Sequence, residues 1–130
     1  MRRAPTLCVI DDDDIYLYTL RRYITTESLA DRILEFHDGQ EAFDYFRGIV
    51  GLPDELPDII LVDLNMPIMD GWEFIEAMRQ VWPSIAKPIS LHVVSSSIDP
   101  RDLDRAQREN IVTAYHHKPV TREVLRTIFS

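Results

Sequence analysis

Asp11 and Asp12 follow the apolar run Leu7-Cys8-Val9-Ile10, and Asp63 follows Ile59-Ile60-Leu61-Val62. Ser95 closes the apolar stretch from Ile89 to Val94, and Lys118 follows Ala114-Tyr115-His116-His117. Carboxylates that gather repel one another, and each raises its neighbour's pKa unless a cation intervenes. Oxygen donors with room for water suit Mg²⁺. A nearby ammonium can pair with a carboxylate or with an incoming phosphoryl oxygen, and a serine hydroxyl adds a neutral donor. Brought together, these groups fit phosphoryl transfer onto a carboxylate, where positioning and charge neutralisation do most of the catalysis.

The elements that must bring them together are legible in the hydrophobic pattern. Short continuous apolar runs fit strands covered on both faces, as in a parallel sheet. Residues 32–36 and 114–117 are weaker strand candidates, placed nearer the sheet edges. Between the runs lie segments with helical spacing: Leu17, Leu20 and Ile24; Ala42, Phe46 and Ile49; Phe74, Ile75, Met78 and Val81 or Trp82; Leu103, Ala106 and Gln107; Val124, Leu125 and Ile128. Asp99 with Pro100 reads as a helix start, and Thr121 as an N-cap. Five strands alternating with five helices predict an α/β, doubly wound parallel sheet with helices on both faces. The longest irregular stretch is residues 51–58. In such a sheet all strand C-termini share one edge, where ligand sites form. Asp11, Asp12, Asp63, Ser95 and Lys118 therefore converge on one shallow cleft.

Taken singly, each feature has a plainer reading. Asp13 and Asp14 read as the start of the first helix, where carboxylates complement its dipole. Asp63 alone would simply end a strand, Ser95-Ser96-Ser97 would be a loop, and Lys118-Pro119 a turn. Their coincidence at separate strand ends favours a site. Cys8 reads as a small buried hydrophobe, and Trp72 and Trp82 as packing or interface residues. His37, His92, His116 and His117 lack metal-ligand spacing, and adjacent His116 and His117 project to opposite strand faces.

Composition narrows the classes further. The chain has 130 residues and is 45% hydrophobic, which fits one globular domain rather than a disordered chain. Asp and Glu number 22 against 14 Lys and Arg, a net charge of −8 that repels phosphate backbones and argues against nucleic-acid binding. The single Cys8 allows no intrachain disulfide, in keeping with a reducing, cytoplasmic setting. No apolar run approaches the ~20 residues of a membrane span, so no membrane partner is expected. Arg2-Arg3 precedes an apolar stretch too short for a secretory signal.

The segments Val9-Ile10-Asp11-Asp12, Leu61-Val62-Asp63-Leu64-Asn65-Met66-Pro67-Ile68-Met69-Asp70-Gly71, Val93-Val94-Ser95-Ser96 and Tyr115-His116-His117-Lys118-Pro119 are ordered and spaced as in a known family. Over essentially its full length the chain resembles the receiver domain of two-component response regulators. The resemblance implies a flavodoxin-like strand order 2-1-3-4-5, and a single receiver domain over residues 1–130 without an output domain. It implies that Asp63 is the phosphoacceptor, charged by a sensor histidine kinase or a histidine phosphotransfer protein. The Asp12 and Asp63 side chains and the Asn65 backbone carbonyl would hold Mg²⁺, with Asp11 supporting the metal from outside its direct ligands. Lys118 would bind a phosphoryl oxygen. Ser95 would take another after transfer, and Tyr115 would then swing from exposed to buried, altering the face that a downstream protein reads. Homodimerisation is a further option. Such a protein assists its own phosphorylation and dephosphorylation but is not a turnover enzyme.

The chain departs from the family pattern in Ser95, where Thr is usual, and Ser96, where Ala is common. Asn65 and Ser97 occupy positions that tune dephosphorylation in the family. The competing readings are a phosphorelay intermediate, a phosphorylation-independent interaction module, an aspartyl phosphatase and a flavin carrier. The phosphatase would need a second acid where Asn65 stands. The flavin would need phosphate donors where Asp11, Asp12, Asp13 and Asp14 stand.

Overall fold

A computed structural model, which describes residues 5–130, contains the alternation that the sequence predicts. The elements are β1 (Thr6–Ile10), α1 (Asp14–Thr26), β2 (Arg32–Phe36), α2 (Gly39–Arg47), β3 (Ile59–Val62), α3 (Gly71–Val81), a 3-10 turn (Trp82–Ser84), β4 (Ser90–Ser95), α4 (Pro100–Arg108), β5 (Ala114–His117) and α5 (Arg122–Phe129). Arg2-Arg3 lies outside the described residues. Among the described residues, no helix is long and apolar enough to cross a membrane.

The strands form one sheet in the order β2-β1-β3-β4-β5, with every neighbouring pair parallel. The weaker candidates β2 and β5 are the edges. Every residue of β1 and β3 is buried, as their uninterrupted apolar runs require. The chain doubles back at β1 and β3, so their adjacent C-terminal ends open the crevice. Alternation along the strands divides the core in two. Cys8, Ile10, Ile60, Val62, Leu91 and Val93 pack with Phe46 of α2 and Phe74 and Met78 of α3. Leu7, Val9, Ile59, Leu61 and Val94 pack with Leu17, Leu20 and Ile24 of α1 and Leu125 of α5.

Helix starts are fixed by side chains that accept the first unpaired backbone N–H groups. Asp13 caps α1, Asp38 caps α2, Asp99 caps α4 and Thr121 caps α5. Asp70 and Glu73 make a reciprocal capping box on α3. Asp13 and Asp14 therefore serve the helix, as expected.

Two expected helix faces are narrower than their spacing suggests. In α4 only Ala106 is buried, while Leu103 is 45% exposed and Gln107 is exposed. Ile49 falls beyond the end of α2, although it still packs against the core. One contact escapes any local reading. His92 of β4 and His116 of β5 stack side by side, with Nδ1 of His92 2.9 Å from Nε2 of His116. Both lie on the sheet face of Val94, beneath α1 and α5. Burial, and then the neighbouring His116, push the His92 imidazole down to about 4.

Candidate functional site

Asp11 directly follows β1 and Asp63 directly follows β3, on adjacent strands whose backbones are paired up to those residues. The Asp63 N–H donates to the Ile10 carbonyl, so the hydrogen bonding of the sheet sets the lateral distance between the acids. Carboxylate oxygens of Asp11, Asp12 and Asp63 all lie within 4.8 Å of one another. Asp12 is exposed, whereas Asp11 and Asp63 are buried.

Lys118 follows β5 and reaches back across the sheet edge. Its Nζ donates to Asp11 Oδ2 at 2.7 Å and to Asp63 Oδ2 at 3.5 Å. The ammonium also lies 4.3 Å from the centre of the Tyr16 ring, a cation–π contact from the first turn of α1. The Lys118–Pro119 peptide bond is cis. From the sequence, Lys118 could pair with Asp63 or with an incoming phosphoryl oxygen; here it bonds both acids, with the shorter bond to Asp11. The other Asp11 oxygen accepts the Asp13 N–H, so both of its carboxylate oxygens are engaged.

These contacts set the electrostatics. Burial, and next the Asp11 charge, raise the Asp63 carboxyl above its ordinary pKa; Lys118 and the backbone amides of Asn65 and Leu64 only partly offset this. Burial acts to lower Lys118, but the hydrogen bond and charge of Asp11, with Asp63 behind them, outweigh it and hold the ammonium above its usual value. The site thus carries more negative charge than its one ammonium neutralises. An all-oxygen donor set, with exposed Asp12 beside buried Asp11 and Asp63, fits a small hard divalent cation.

Gly71 is a local necessity. A Cβ at this position would stand 2.3 Å from the Asp63 carbonyl oxygen and 2.8 Å from Leu64 Cα. The Gly71 N–H also donates to the Leu64 carbonyl. The first residue of α3 is therefore seated directly on the backbone that carries Asp63. Asn65 opens the intervening loop and is exposed; within that loop Ile68 has a positive φ of 68° and is 79% exposed.

Ser95 is fully buried at the end of β4, and its hydroxyl accepts the Ser97 N–H within its own loop. Tyr115 of β5 is half-buried, and its hydroxyl donates to the Ser97 carbonyl at 3.2 Å. Asp11, Asp12, Asp63 and Lys118 thus form one cluster, while Ser95 and Tyr115 meet at Ser97 beside it. Sequence reasoning missed Asp102, which accepts from both the Ser97 hydroxyl and the Trp72 indole. An acid in the first turn of α4, five residues past a serine loop, was the available signal.

With this geometry in hand, known proteins offer a comparison. Residues 7–130 match the family described as the response regulator receiver domain. The chain is 30% identical over 120 residues to the "Probable methanogenesis regulatory protein FilR2" of Methanothrix harundinacea, covering 92% of this chain and 76% of that protein. It is 31% identical over 119 residues to the sensor histidine kinase CheAY of Helicobacter pylori, but these residues make up only 14% of that longer protein. A crystal structure of a two component response regulator from Cytophaga hutchinsonii superposes with a TM-score of 0.86 at 29% identity, over 98% of this chain and 96% of that one. The sheet order, the acidic pocket and the family match agree, and the chain belongs to the response regulator receiver domains of two-component signalling.

Proposed function

We propose that this receiver is a phosphorylation-dependent switch in which Asp63 accepts a phosphoryl group from a phosphohistidine. The supporting observation is the Asp63 carboxylate at the sheet edge, with Asp11 and Asp12 oxygens within 4.8 Å and the Lys118 ammonium 3.5 Å away. An Asp63 oxygen attacks phosphorus, the P–N bond to the donor imidazole breaks, and an acyl phosphate forms. Bound Mg²⁺ supplies charge neutralisation between the acids and the incoming phosphoryl oxygens.

The Asp12 and Asp63 side chains and the Asn65 carbonyl are the direct ligands in this reading. Asp11 already holds Lys118 and the Asp13 amide, which favours a supporting role through water. Lys118 takes one phosphoryl oxygen. Ser95 takes another when its loop moves inward, and Tyr115 reports that movement to the face formed by α4, β5 and α5.

The donor is a sensor histidine kinase or a histidine phosphotransfer protein. Ile15 in the first turn of α1, and Ile68 and Ile98 on the loops after β3 and β4, are 79%, 79% and 88% exposed, apolar surface suited to a protein donor. The downstream contact is another protein that reads the face of α4, β5 and α5. A cytoplasmic setting suits a free, buried Cys8.

Labelling with acetyl phosphate and Mg²⁺ tests the reading. The wild type should label and Asp63→Asn should not; equal labelling of the two overturns it.

A further inference from the structure

We infer that Asp102 is a positioning residue for Ser95, acting through Ser97; the inference rests on the switch reading above. Ser97 is held on every side. Its hydroxyl donates to Asp102 Oδ2 at 2.5 Å and accepts the Asp99 N–H at 3.2 Å. Its own N–H donates to the Ser95 hydroxyl at 3.1 Å, and its carbonyl accepts from Tyr115. The other Asp102 oxygen accepts the Trp72 indole N–H at 3.0 Å, and the Arg105 guanidinium lies 4.5 Å over the Trp72 ring.

Trp72 follows Gly71, the residue seated on the Asp63 backbone. Asp102 therefore ties the β4–α4 loop to the start of α3, the element seated on the Asp63 backbone. The Ser97–Asp102 contact has the short length of a charge-assisted bond, the stronger class of hydrogen bond. While it holds, Ser97 keeps the Ser95 hydroxyl engaged in its own loop. The Ser95 hydroxyl accepts from Ser97 and keeps its own proton free to donate; to carry that proton to a phosphoryl group on Asp63, the loop must shift against the Asp102 anchor. Asp102 thereby sets how much of the phosphoryl contact energy is consumed in moving the loop.

Beryllofluoride, which mimics the phosphoryl group on a carboxylate, is the probe. Its affinity at saturating Mg²⁺ and the affinity for Mg²⁺ alone are measured for the full chain, with the Trp72 indole N–H resonance followed by NMR. Asp102→Ala should bind beryllofluoride about tenfold more tightly, the scale of one lost charge-assisted bond, with unchanged Mg²⁺ affinity. Ser97→Ala should do the same, and the double variant should gain nothing more. Trp72→Phe, which keeps a ring beneath Arg105, should move the same way by less. In the wild type the indole resonance should shift on beryllofluoride addition. A merely structural Asp102 would alter the melting temperature without separating the two affinities. Unchanged or weaker beryllofluoride binding by Asp102→Ala, or an equal change in Mg²⁺ affinity, overturns the inference while leaving the switch intact. A wild type that binds no beryllofluoride overturns both.

Discussion

Acidification should weaken this fold through His92, by an amount that follows from its surroundings. The side chain is 6% exposed, its Nδ1 is 2.9 Å from His116, and its pKa falls from 6.5 in the free side chain to about 4. Above pH 6.5 both folded and unfolded states hold His92 neutral, so it contributes no pH dependence. Between pH 6.5 and about 4 the unfolded chain binds a proton that the folded chain refuses. Stability then falls with pH, at up to about 1.4 kcal/mol per pH unit. The loss reaches about 2.5 kcal/mol by pH 4.5 and about 3 kcal/mol by pH 4. Urea unfolding at intervals from pH 7.5 to 4.5 measures it, and His92→Gln serves as the comparison. The raised Asp63 pKa acts with the opposite sign, since protonating Asp63 relieves the pocket; both proteins retain Asp63, so the difference between their curves reports the His92–His116 pair, whose second imidazole is also lowered by burial. The variant should be less stable at pH 7.5 but lose about 2.5 kcal/mol less on acidification. Parallel curves for the two proteins would refute the argument.

Millimolar Mg²⁺ should raise the melting temperature, because repulsion among Asp11, Asp12 and Asp63 exists only in the folded state; a scanning calorimeter reads this, and no shift counts against the assigned cluster. Asp63→Asn without metal should melt a few degrees higher at pH 7.5, since burial and Asp11 disfavour the ionised carboxylate; the gain should vanish as the pH falls through the raised Asp63 pKa, and a lower melting temperature at pH 7.5 would contradict it. Gly71→Ala should cost at least about 2 kcal/mol in urea unfolding, because its Cβ meets the Asp63 carbonyl at 2.3 Å and backbone must move; a wild-type midpoint would show the contact to be soft.

The architecture and the acidic pocket were legible because both follow from local chemistry. Apolar runs ending in Asp11, Asp63 and Ser95 identified the strands, and parallel alternation placed their ends on one edge. Asp99, Pro100 and Thr121 marked helix starts through capping needs that act over a few residues. What stayed hidden depends on register between distant segments. His92 and His116 are 24 positions apart and meet only because β4 and β5 pair with His92 opposite Ala114. The choice of Asp11 over Asp63 by Lys118 is settled by small differences in reach across the sheet. Trp72 resembled a packing residue, and its bond to Asp102 depends on where α3 and α4 settle. In α4, helical spacing overstated burial because one small residue, Ala106, makes the buried contact.

The tight seat of Gly71 leaves no room for a side chain between the start of α3 and the backbone of Asp63. In the proposed switch, this seat holds the attack geometry of Asp63 and leaves movement to the β4 side. Sequence change there then retunes how strongly a phosphoryl group engages the loop while the backbone seat of Asp63 stays the same. Under that proposal, a lineage could acquire new listeners by changing the β4 side while keeping the glycine seat of its acceptor.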